Sequence, residues 1–166
     1  MVSLSRLLRH LLTPEWRVRQ RFPQRTQQAV EAAIAASERR HSGEIRFAVE
    51  AALAPAQLLR GETVRERAIE AFSTLRVWDT EENSGVLVYV LLADRDVEIV
   101  ADRGLNGRVS PQEWEAICKR MEKTFGSGEF EAGTLAAIAE IGDLLADRLP
   151  SSAGDRNELP DRPVLL

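Results

Sequence analysis

Val86 to Leu92 reads Val-Leu-Val-Tyr-Val-Leu-Leu, seven residues with no charged or amide side chain. A run of this length, bounded by Gly85 and Asp94, is a central strand covered on both faces. The charged tripeptide Asp94-Arg95-Asp96 that follows is too short for a crossover. Val97 to Ala101 must therefore return antiparallel as the second arm of a hairpin. A strand buried on two faces needs a helical layer on each side, and the flanking sequence has to supply those layers.

It does. Residues 3–12 place Leu4, Leu7, Leu8, Leu11 and Leu12 at helical spacing, with Arg6 and Arg9 between them, and packing of this short amphipathic helix on its own domain is expected. Thr26 to His41 reads as a helix with Val30, Ile34 and Ser37 on one stripe and Thr26 as N-cap. Glu44 to Leu53 begins with strict alternation, Ile45, Phe47 and Val49 against Glu44, Arg46 and Glu50, the pattern of a half-buried strand. A helical region follows from Pro55 to about Leu75, with Gly61 as a break. Ser110-Pro111-Gln112-Glu113 is a capping box with Pro at the first helical position, opening a helix to about Phe125. Glu131 to Leu149 forms the last helix. The order predicts a three-layer α/β sandwich, a small mixed β-sheet flanked by helices.

The chain divides on this reading into a basic amphipathic arm at 1–25, an α/β domain at 26–150 and a tail at 151–166. The tail's Ser, Gly, Pro and charged residues predict disorder. At 166 residues one domain with a sizeable core is accommodated. The arm carries six Arg against one acid, Glu15, a net +5; the whole chain is −4, which leaves −9 for the rest. A single cysteine, Cys118, excludes an internal disulfide and any CxxC metal site, and its place in an apolar-periodic helix marks it as a buried structural thiol. The leucines near the N-terminus are interrupted by Arg6, Arg9 and His10, and no small-residue cleavage site follows, so no secretory signal is read there. No run approaches the ~20 apolar residues of a membrane span. A cytoplasmic location is expected. Interleaved basic and aromatic residues occur only in the short arm, so nucleic acid is not an expected partner.

The stretch NSGVLVYVLLADRDVEIVADRGL resembles the core of the TPM domain: an Asn-x-Gly-Val-Leu entry, an apolar strand, a charged turn and an Asp-x-Gly-Leu exit. Upstream ERRHSGEIRFAVE and downstream SPQEWEAICKRMEKTFGSGEFEAGTLAAIAEIGDLLADRLP are similar to one branch of that family, and the resemblance covers residues 26–150. It implies an α/β sandwich. It also implies a diffuse set of roles: photosystem repair, receptor modulation, weak acid-phosphatase activity and, in some members, calcium in an acidic cleft at one sheet end. The signal peptide and membrane anchor of many members are not seen in this chain.

The hairpin gives that cleft a place. The loop Asp79-Thr80-Glu81-Glu82-Asn83 enters the strand at Gly85, while Asp102 leaves its antiparallel neighbour, so Asp79, Glu81, Asn83 and Asp102 are expected at one sheet end. Oxygen ligands of this kind suit Ca²⁺ or another divalent cation. If the strand beginning at Glu44 runs parallel to the central one, Glu44 joins them, and Arg46, Trp78 and Arg103 complete a ligand cleft. The loop is not an EF-hand, because its sixth position is Ser84 and its twelfth Val90. His10 and His41 are isolated and expected at the surface. No Gly-x-Ser-x-Gly elbow, P-loop or His cluster accompanies the arginines. The expected function is a non-enzymatic accessory domain binding a ligand or a protein partner. The alternatives are a weak metal-dependent phosphatase and a membrane-surface adaptor acting through residues 3–21.

Overall fold

The computed structural model describes residues 3–166; residues 1 and 2 of the expected arm lie outside the described residues. Four strands, β1 (Glu44–Glu50), β2 (Gly85–Leu91), β3 (Asp96–Ala101) and β4 (Val164–Leu165), form one mixed sheet in the order β3-β2-β1-β4. β2 pairs antiparallel with β3 across the tight turn, Val88 opposite Ile99. It pairs parallel with β1 along seven residues, Glu44 opposite Gly85. The parallel pair requires a crossover, and the chain between the two strands supplies it as α4 (Pro55–Leu59) and α5 (Val64–Thr74). Gly61, at φ 76°, makes the break between these helices.

Two apolar clusters sandwich the sheet. On one face Ile45, Phe47, Val49, Val86, Val88 and Val90 meet α3 (Gln24–Glu38), α6 (Pro111–Gly126) and α7 (Phe130–Arg148). On the other, Ala48, Leu87, Tyr89 and Leu91 meet Leu58, Val64, Ala68 and Ala71 of α4 and α5. The three-layer sandwich expected from the sequence is thus present. Cys118 is buried among the first cluster, where burial pushes its thiol up to about 12.

Several expectations are corrected. The domain starts before residue 26: α2 (Trp16–Arg21) and the residue after it place Val18 and Phe22 in the core, where Phe22 meets Phe47, Phe125 and Phe130 at ring-centroid distances of 5.6, 6.2 and 5.7 Å. β1 is not half-buried. All seven of its residues are buried, because its polar side chains find partners inside. Glu50 accepts from Tyr89 Oη at 2.5 Å and from Arg67 Nε at 2.8 Å. Both histidines are buried as well, and each is held by a hydrogen bond: Ser37 Oγ lies 2.9 Å from His41 Nε2, and His10 Nδ1 accepts the Leu53 N–H at 2.9 Å.

The tail at 151–166 is not structureless. Its last residues add β4 parallel to the outer edge of β1, Ala48 opposite Val164, and Leu159 is buried against the second cluster. Composition predicts disorder because the segment is polar on average. Its order comes from a few aliphatic anchors and from the unmet hydrogen bonds of β1.

Candidate functional site

At the Gly85 end of the sheet, the loop before β2 turns back on itself. Asn83 sits in the left-handed region at φ 53° and accepts from Arg103 Nε at 3.1 Å. Its carbonyl accepts the Gly104 N–H at 2.9 Å. Asp102 caps the short 3₁₀ turn Arg103–Leu105, its Oδ1 accepting the Arg103 N–H at 2.7 Å, while its own N–H donates to Gly85 O at 2.9 Å. A Cβ on Gly104 would run into the carbonyls of Glu82 and Asn83, and one on Gly85 into that of Val77. The two glycines of the motif therefore serve close main-chain contact.

Of the expected ligands, Asn83 and Asp102 are brought to this junction. Asp79 instead pairs with Arg76 at 2.6 Å in solvent, and Glu81 is exposed, its N–H donating to Glu158 at 2.9 Å. Trp78 stands half exposed beside Arg76, whose guanidinium lies 5.6 Å from its ring. Among the described residues no three His, Cys, Asp or Glu side chains stand close enough to share a metal ion.

Glu44 and Arg46 are occupied differently. Both are buried, and both turn to the chain's own tail. Glu44 accepts the N–H groups of Glu158 and Leu159 at 3.1 and 3.0 Å. Arg46 donates to the carbonyls of Pro160 and, at 3.2 Å, Arg162. Burial raises the Glu44 carboxyl against these two N–H groups, and burial also lowers the Arg46 guanidinium. Next to them Glu38 takes the Ile45 N–H at 2.7 Å; burial, with the charges of Glu44 and Asp161, pushes its carboxyl up to about 9. Glu38 and Glu44 border a polar cavity of about 500 Å³ between the end of α3 and the tail.

The opposite sheet end carries a feature the sequence reading missed. α1 (Leu4–Leu11) docks with its polar face inward. Arg6, through Nε and Nη2, grips Asp94 of the β2–β3 turn at 3.0 and 2.8 Å. His10 Nε2 lies 3.0 Å from the same carboxylate, and Arg9 reaches it at 3.3 Å. Burial would raise Asp94, but hydrogen bonds from Arg6 and His10 hold its carboxyl below the usual range. Leu7 alone among the helix's leucines packs on the domain, while Leu4, Leu8, Leu11 and Leu12 are 72, 49, 62 and 63% exposed. The helix packs on its own domain, as expected, but through Arg6, His10 and Leu7 rather than through the stripe as a whole. Arg6 and His10, one helical turn apart and facing an acid in a hairpin turn, are the signal that was available.

Beneath these leucines lies a groove of about 910 Å³, walled by Leu4, Leu8, Val90, Leu92, Phe125 and Phe130. Arg9, Arg17, Arg21 and Arg95 line it, against one carboxylate, Glu122. Arg21 is held over the Phe130 ring at 5.0 Å.

The sequence matches the family model of the TPM domain over residues 19–144. The chain belongs to the TPM domain family. Among solved structures, this TPM domain is similar to the NMR structure of the BA42 protein from the psychrophilic bacterium Bizionia argentinensis, at 30% identity and a TM-score of 0.74, covering 84% of this chain and 92% of that one. No curated protein matches the chain. The family match stops short of the tail and starts after α1, so both segments that cover the sheet's ends lie outside the matched residues of this TPM domain.

Proposed function

We propose that this TPM domain is a non-enzymatic accessory module that docks on an anionic lipid surface through α1, α2 and the groove beneath them. The observation that carries the reading is the inverted docking of α1, which spends its polar groups on Asp94 and presents leucines to solvent. An interfacial helix needs apolar residues on its outer face and cations beside them. Here the outer face holds Leu4, Leu8, Leu11 and Leu12, Trp16 follows at 59% exposed, and four arginines ring the groove. Tryptophan suits the headgroup level, and each arginine near an anionic surface contributes on the order of 1 kcal/mol. No helix among the described residues is long and apolar enough to cross a membrane, so the contact proposed is peripheral.

Co-sedimentation with vesicles tests this. The protein should pellet with phosphatidylcholine vesicles containing phosphatidylglycerol and stay in the supernatant with phosphatidylcholine alone. Leu8→Asp/Leu12→Asp and Arg17→Glu/Arg21→Glu should each reduce the bound fraction by about tenfold. Equal binding to both vesicle types, or full binding by both variants, would sink the reading.

A further inference from the structure

The outer edge of β1 is held in two different ways. Its second half pairs with a strand, Ala48 with Val164 and Val49 with Leu165, and the Leu166 N–H donates to Val49 O at 2.9 Å. Its first half meets no strand. There the side chains of Glu44 and Arg46 take over, one accepting two main-chain N–H groups of the tail, the other donating to two main-chain carbonyls. Glu158 in turn accepts the Glu81 N–H, so the tail also closes on the loop before β2.

Apart from that carboxylate and the Asp161 carboxylate, which lies against Glu38, the tail is recognised through its backbone and a few apolar side chains. Leu159 and Val164 pack on the second apolar cluster, Leu165 packs on the first, and Pro163 is buried. Among the described residues Asp161 and Arg162 make no ion pair with the domain. This is the contact set by which a sheet edge takes an extended peptide: main-chain hydrogen bonds for affinity and pockets for alternate side chains for selection. The tether is an exposed segment. Residues 151–157 are all exposed and contain no helix or strand. A tether of this length holds its end at an effective concentration of roughly millimolar, so the contacts themselves need only be weak.

We infer that the β1 edge with Glu44 and Arg46 is a peptide-binding site, occupied here by the chain's own tail, whose trans ligand is an extended segment of the form Leu-Pro-x-x-Pro followed by two aliphatic residues. The tail is the resident competitor and sets the threshold for a partner. The site shares no lining residue with the lipid-facing groove, so either proposal stands or falls without the other.

The test uses the full chain. Leu159→Ser/Val164→Ser removes the tail's anchors and leaves the site intact. A fluorescein-labelled peptide with the sequence of residues 157–166 is then titrated by anisotropy. The released variant should bind it at least about tenfold tighter than the wild type, and adding Arg46→Gln should cancel that gain. On the wild type, the Leu159 and Leu166 amides should exchange about 100-fold faster than those of β2, reporting a tail that opens as its own unit. The inference is overturned by a released variant that binds no better than wild type, by one that unfolds with its tail, by a scrambled peptide binding equally well, or by tail amides protected as strongly as β2.

Discussion

Gly104 and Glu38 show how single residues in this domain answer to the backbone beside them. Gly104 has carbonyl oxygens where a Cβ would go. Gly104→Ala should therefore cost about 2 kcal/mol, read as a fall in Tm of roughly 4–8 °C, because the main chain of Glu82 and Asn83 has to move. Unchanged Tm would show that the loop yields freely. Glu38 poses a pH problem. Its carboxyl is held up to about 9 in the fold, whereas unfolded it ionises near its usual value of ~4.3. Between those limits the unfolded chain has released a proton that the folded chain keeps, so stability is lost as pH rises through the window. Glu38→Gln keeps an acceptor for the Ile45 N–H and removes the titration. Its advantage should grow from about pH 5 to 8 and reach ~1–2 kcal/mol, a figure discounted because part of the side chain touches water. Parallel Tm-against-pH curves for the two proteins would contradict this.

At the scale of elements, α1 and the tail are the two pieces whose roles the sequence concealed. Periodicity identified α1 as amphipathic but said nothing about which face docks, since a hydrophobic stripe faces the core in most helices. The choice was made by Asp94, which is distant in sequence and gathers Arg6, Arg9 and His10. Asp94→Ala should free the helix. It would leave Arg6 and His10 without their acceptor, at a local cost of ~1–3 kcal/mol. Trypsin cleavage after Arg17 and Arg19 should then speed up by about tenfold, with the core still folded. An unchanged cleavage rate would mean that Leu7 and the Leu53 N–H hold α1 without help. The hairpin at 85–101, by contrast, was readable because its pairing is local and its turn leaves one solution. The tail was misread for the opposite reason: β4 is two residues long, and its partner lies more than a hundred residues earlier.

For the whole molecule, the three layers were legible from alternation, run length and turn chemistry, whereas the parallel placement of Glu44 beside Gly85 entered only as a condition that the fold then met. The arrangement of side chains at the sheet ends was not. Asp79, Glu81, Asn83 and Asp102 are expected at one end because strands fix where a loop starts, but not where its side chains turn. In the fold Arg76 draws Asp79 away, and main-chain caps absorb Asn83 and Asp102. Charge is distributed in the same spirit, with the arginines of the arm gathered around an apolar groove. Anionic vesicles should consequently release the protein as salt rises, since surface charges are screened beyond ~8 Å at physiological ionic strength.

The pairing of β1 with β4 also has a consequence in time. Ala48 and Val164 are 116 residues apart, so at synthesis rates of about 5–20 residues per second the β1 edge waits roughly 6–23 s for its cover. A nascent chain with a bare aliphatic edge invites pairing with its neighbours on the same message. Glu44, Arg46 and Glu50, which alternate along this strand, put charge on the edge during that interval and act as gatekeepers against aggregation before they serve the finished fold.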